Sequence, residues 1–125
     1  MKRRTAREKA FQALFQMNTN EIDIDEAIQH VVEDPTVDSF LDDLVHGVTE
    51  HRSELDEWIA AHLENWTFDR LPKVEKTALR IAAYEMKHNE EVPNQVAINE
   101  AVELAKIFGE EDSGKFVNGV LSKML

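Results

Sequence analysis

Val74-Glu-Lys-Thr-Ala-Leu-Arg-Ile-Ala-Ala-Tyr-Glu85 decides the fold of this chain. At the period of an α-helix, Val74, Ala78, Ile81, Ala82 and Glu85 share one face, while Leu79, Ala83 and the following Met86 define another. A helix that is apolar around most of its circumference is a buried one. The stretch therefore predicts a central helix with neighbours on several sides, and Ala78, Ala82 and Ala83 keep its surface thin enough for them to approach closely. Pro72 suits its first turn, and it is expected to end near His88.

The same period extends outward in both directions. Thr5-Ala-Arg-Glu8 reads as a capping box, so a helix is expected from Thr5, with Ala6, Ala10, Phe11, Leu14, Phe15 and Met17 on its apolar stripe, until Asn18-Thr19-Asn20 stops it. A second helix is expected from about Asp23 to Glu33, just before Pro35, and Asp38 is placed to cap a third. From Phe40 to Leu63 one apolar period continues, with a bend expected near Gly47 or Ser53. Asn65-Trp66-Thr67-Phe68 reads as an irregular corner whose two rings plug the core. After Val92-Pro93, the positions Ile98, Ala101, Val102, Ala105 and Phe108 form a helix that Gly109 terminates. Asp112 or Ser113 should cap the last helix, where Phe116, Val117, Val120 and Leu121 are apolar and Gly119 implies tight packing. No strand is expected. The prediction is an all-α fold, residues 1–125 forming a single compact domain of about six or seven helices with a short basic arm at residues 1–4.

Composition narrows the function. The net charge of −11 speaks against a general affinity for phosphate, yet it is polarised: residues 1–9 carry a local +4 from Lys2, Arg3, Arg4, Arg7 and Lys9 against Glu8, leaving −15 for the remainder. No apolar run is long enough to span a membrane, and no apolar segment follows the first cations as in a signal peptide, so a cytoplasmic protein is expected. With no cysteine there is no thiolate nucleophile, thiolate metal site or disulfide. His30, His46, His51, His62 and His88 show no recognised ligand spacing, and Asp42 with His46 reads as a solvated pair; no metal and no cofactor are expected. The acidic pairs are those of a solvated surface in a chain with 25 carboxylates, and Gly109, Gly114 and Gly119 belong to neither a P-loop nor a dinucleotide-binding turn. An enzyme is not expected. Residues 108–119 hold more: Lys115 and Phe116 sit near a helix N-terminus beside Asp112 and Ser113, and a cation, a ring and a carboxylate are the means by which single-stranded RNA is read. Phe116 as a core residue and Asp112 as an ordinary cap remain open alternatives.

Three segments resemble the NusB family of transcription antitermination factors. They are Arg4-Thr-Ala-Arg-Glu-Lys-Ala-Phe-Gln-Ala-Leu-Phe15, the central stretch Val74–Glu85, and Val96-Ala-Ile-Asn-Glu-Ala-Val-Glu-Leu-Ala-Lys106 running on to Phe116-Val-Asn-Gly-Val-Leu121. The likeness covers nearly the whole chain. It implies two small helical bundles and a non-catalytic factor that binds the boxA element of nascent ribosomal RNA together with NusE, a small-subunit ribosomal protein. NusE would link the RNA-bound module to RNA polymerase and so promote read-through of terminators in rRNA operons. Carried over by motif, the resemblance implies RNA contacts at Arg4, Arg7, Asp112, Lys115 and Phe116, with Lys2 and Arg3 as helpers, and NusE contacts at Glu75 and Arg80, a place near RNA being the alternative for Glu75. Phe15 stands where many relatives have tyrosine, and no role is assigned to it. Such a module also occurs ahead of ribosomal RNA cytosine methyltransferase domains, but no glycine-rich loop for a methyl donor occurs here, so a freestanding factor is expected. The alanine-rich faces are equally compatible with a homodimer in the free state.

Overall fold

A computed structural model describes residues 1–34 and 38–125. Among the described residues there are seven α-helices and no strand: α1 (Arg3–Thr19), α2 (Ile24–Val31), α3 (Ser39–Glu50), α4 (Arg52–Ala60), α5 (Lys73–His88), α6 (Asn94–Phe108) and α7 (Ser113–Lys123), with a 3-10 turn at Phe68–Arg70 before α5. Helices α1, α2 and α3 pack as one bundle and α5, α6 and α7 as another, while α5 also touches α1, α3 and α4. Every residue of α5 from Thr77 to Glu85 is buried, as its nearly all-round apolar pattern requires. The buried side chains of both bundles form one continuous cluster. No described helix is long and apolar enough to cross a membrane.

Local signals placed several boundaries. Asp23 accepts from the Asp25 backbone N–H and Asp38 from that of Leu41, so each satisfies a donor at its helix start. The expected position of Pro35 after α2 lies outside the described residues. The long period from Phe40 breaks at His51, between the two positions expected to bend, where φ −101° and ψ 16° leave the helical region. Gly47 has a different task. A Cβ there would overlap the ring of Tyr84, so the glycine lets α3 lie directly against α5. The Tyr84 hydroxyl then donates to Asp43 (3.0 and 3.1 Å), and burial together with that carboxylate pushes its pKa up to about 12.

Three expectations need correction. Helix α1 starts at Arg3 rather than Thr5, with Lys2 at its N-cap position and no side-chain cap, and Arg3 and Arg4 of its first turn pair with carboxylates on distant segments. Of the two corner rings only Phe68 enters the core; Trp66 is 54% exposed. Asn65, at φ 64°, takes the left-handed conformation that asparagine tolerates, and the chain turns at that point. Gly119 is not tightly packed either, since a Cβ there would have nothing within 4 Å. It shares the exposed side of α7 with Lys115, Asn118 and Ser122. Gly119→Ala is therefore expected to stabilise the protein by about 0.5–1 kcal/mol through helix propensity alone. Urea unfolding checks this, and a loss of stability would mean that the helix face is covered.

Candidate nucleic-acid interface

The turn between α6 and α7 is built around Gly109. Its backbone is extended (φ −115°, ψ −155°), and a Cβ would press on Ser113 Oγ at 2.7 Å, the Ala105 carbonyl oxygen at 2.8 Å and Val74 at 3.0 Å. Only glycine lets the three meet. Ser113 is buried, and its hydroxyl accepts from the Glu110 backbone N–H at 3.0 Å, which fixes the entry into α7. Asp112 occupies the N-cap position but makes no capping hydrogen bond, contrary to the ordinary capping role. Its carboxylate is on the surface instead.

Two depressions flank the first turns of α7. One, of about 300 Å³, is lined by Trp66, Leu71, Pro72, Glu75, Asp112 and Phe116. The Trp66 and Phe116 rings meet edge to face in its wall, with centroids 5.8 Å apart at 71°. Phe116 is half-buried at the rim of the core, so neither alternative for it takes the whole side chain. The other depression, a shallow trough of about 660 Å³, brings Arg4 beside Lys106, Lys115 and Asn118, with Glu100, Glu103 and Glu111 on its walls. Lys115 has no ion-pair partner among the described residues, whereas Lys106 lies 3.6 Å from Glu103. Asp112, Phe116 and Glu75 thus share one side of α7, and Arg4 and Lys115 the other. Trp66, beside Phe116 in the wall of the first depression, is the neighbour that sequence reasoning missed. The irregular Asn65 corner was its only signal.

The basic start of the chain is mostly neutralised from within. Arg3 pairs with Glu91 (3.1 Å), and Arg4 holds Glu100 through two hydrogen bonds of 3.2 and 2.7 Å. Arg7 is only 4% exposed; it donates to Glu85 at 2.8 Å and reaches Glu100 at 3.4 Å. Arg3 and Arg7 also lie over the Phe40 ring, at 4.8 and 5.1 Å from its centroid. Burial raises the Glu85 carboxyl above its ordinary range despite Arg7, while the hydrogen bonds from Arg4 hold that of Glu100 below it. Lys2 is exposed and, among the described residues, its side chain is unpaired. Of the residues expected to meet RNA, Lys2, Lys115, Asp112 and Phe116 are at the surface or its rim, Arg3 and Arg4 are exposed but paired with carboxylates, and Arg7 lies inside the fold.

Glu75 and Arg80 are not brought together. Glu75 lies at the edge of the Phe116 depression, whereas Arg80 faces α4, is 5% exposed, and donates to both oxygens of Asp56 at 2.7 and 3.0 Å. Its guanidinium also lies 5.2 Å from the Phe68 ring centroid. What this pair presents outward is the partly exposed Asp56, held in place by Arg80.

Residues 4–125 match the model of the NusB family. The transcription antitermination protein NusB of Bacillus subtilis (strain 168) is 54% identical over 124 residues, covering 99% of this chain and 95% of its own. That of Geobacillus kaustophilus (strain HTA426) is 53% identical over 124 residues, with the same coverage of 99% and 95%. T. maritima NusB superposes with a TM-score of 0.88 at 34% identity, covering 99% of this chain and 90% of the other. The NusB chain in the crystal structure of antitermination factors NusB and NusE in complex with dsRNA gives 0.86 at 32% identity, covering 98% and 94%. With a family match along almost its whole length and relatives this similar, the chain belongs to the NusB family of transcription antitermination proteins, which are RNA-binding regulators and not enzymes.

Proposed function

We propose that this chain binds a boxA-like single-stranded segment of the ribosomal RNA leader jointly with NusE, in the cytoplasm, and that the assembly promotes read-through by RNA polymerase in rRNA operons. One observation carries the reading: the Trp66–Phe116 ring pair and Asp112 lie on one side of the α7 start, with the cations Arg4 and Lys115 on the other. An unpaired base can stack on the rings and donate its amino group to Asp112, while the backbone follows the trough, where Arg4 and Lys115 meet phosphate. Lys2 and Arg3 add positive charge at the end of that path. Arg7 acts as a positioning residue, because it braces Glu100, which in turn orients Arg4. The Arg80–Asp56 pair is assigned to the NusE side, where fixed charges set register, while Glu75, at the edge of the Phe116 depression, lies where NusE and RNA would meet. The solved relative bound to NusE and RNA supports the partnership.

Titration of a boxA-like oligoribonucleotide, its scrambled version and a duplex of the same sequence, each with and without NusE, tests the proposal. NusE should tighten binding of the first most, and affinity should fall steeply with salt. Lys115→Ala and Arg4→Ala should each weaken all RNAs and lower the salt slope by about one. Equal affinity for the three RNAs, unmoved by NusE, would refute the specific reading and leave a nonspecific cationic contact. Elution of the RNA-free chain as a dimer that RNA dissociates would place a homodimer contact on the same face.

A further inference from the structure

His51 joins α3 to α4, and His88 is the last residue of α5. Sequence spacing does not connect them, yet their rings stack at 4.1 Å, and Tyr84 backs both, at 6.1 Å from His51 and 5.2 Å from His88. Each turns a ring nitrogen to the same carboxylate in the first turn of α4: His51 Nδ1 lies 3.5 Å from Glu54 Oε2, and His88 Nε2 lies 3.0 Å from Glu54 Oε1. The three donor atoms are all within 4.8 Å of one another, and all three side chains are partly exposed.

We propose that His51, Glu54 and His88 form a binding site for a borderline divalent cation, Zn²⁺ above all, that clips the start of α4 to the end of α5. Two imidazole nitrogens and one carboxylate oxygen make a donor set suited to Zn²⁺, Co²⁺ or Ni²⁺, whereas Mg²⁺ and Ca²⁺ require mostly oxygen. Water completes the coordination. Closing on an ion at roughly 2.0–2.2 Å needs side-chain rotation that opens the ring stack. Lys87 Nζ lies 3.4 Å from Glu54 Oε1 and must release that oxygen, so Lys87 competes with the ion. A second cluster, His46 with Asp25 and Asp42 at 3.3 Å each, holds a single imidazole on open surface and serves as an internal control.

The test uses the untagged full chain, freed of metal with a chelator and titrated with ZnCl₂ or CoCl₂. We expect one ion per chain, a visible Co²⁺ d–d band, and a Tm rise on the order of 10 °C at a hundredfold excess of Zn²⁺ over its Kd. His51→Gln and His88→Gln should each weaken binding about tenfold or more, Lys87→Met should strengthen it, and His46→Gln should leave it unchanged. Glu54→Gln carries the test should a histidine variant fail to fold. No Tm shift and no Co²⁺ band, or binding that survives loss of both His51 and His88, overturns the proposal.

Discussion

Replacing Arg7 by methionine is expected to lower the free energy of unfolding by about 3–5 kcal/mol, because it strands a buried charge. Glu85 is 1% exposed, and among the described residues its Oε2 has no hydrogen-bond partner and Arg7 is the only cation that bonds Oε1. Without the guanidinium, the carboxylate must be buried alone or take up a proton. In a protein of this size the loss corresponds to a fall in Tm on the order of 10–20 °C. Replacing both members, Arg7→Met with Glu85→Leu, should recover most of the stability, since an apolar pair of similar volume removes the desolvation penalty. Urea unfolding of both variants measures this. An Arg7→Met variant as stable as the wild type would contradict this account of the buried pair.

Phe116→Ala is expected to weaken cognate RNA binding about tenfold to a hundredfold, the range of a base that stacks on an aromatic ring. Stability should fall by less than the roughly 3–5 kcal/mol of a fully buried phenylalanine, because the ring is only half-buried and meets Trp66 edge to face. Phe116→Leu separates the two roles: leucine keeps most of the packing and offers no π-face. Trp66→Ala, at a site more than half exposed, should cost RNA affinity with almost no cost in stability. If Phe116→Leu binds RNA as the wild type does, the ring serves the core alone.

These contrasts mark what could be read from sequence. The central helix was legible because alternating faces of Leu79, Ile81, Ala82 and Ala83 leave no polar side, and Asp23 and Asp38 announced their helices through a local hydrogen bond. The break at His51 was not, since the apolar period continues across it. The Thr5 capping box failed for a related reason. Arg3, Arg4 and Arg7 pair with Glu91, Glu100 and Glu85, which lie between 78 and 96 residues away and which no local pattern announces; only the Arg7–Glu85 pair is buried. Charge counting registered a cationic arm but not the carboxylates waiting for it. The motif around Asp112 and Phe116 was legible as chemistry, whereas Trp66 joins it only through the turn at Asn65. The meeting of His51 with His88 likewise depends on how α4 lies against α5.

The central claim is that RNA binds at the start of α7, and amide and indole chemical shifts measured during titration with a boxA-like oligoribonucleotide in the presence of NusE test it most directly. The account predicts the largest changes at residues 112–116 and at the indole N–H of Trp66, with Trp58 unmoved. Changes centred instead on the groove of about 550 Å³ between α1 and α2, at Phe11, Phe15 and Val31, with Trp66 and Phe116 silent, would contradict it.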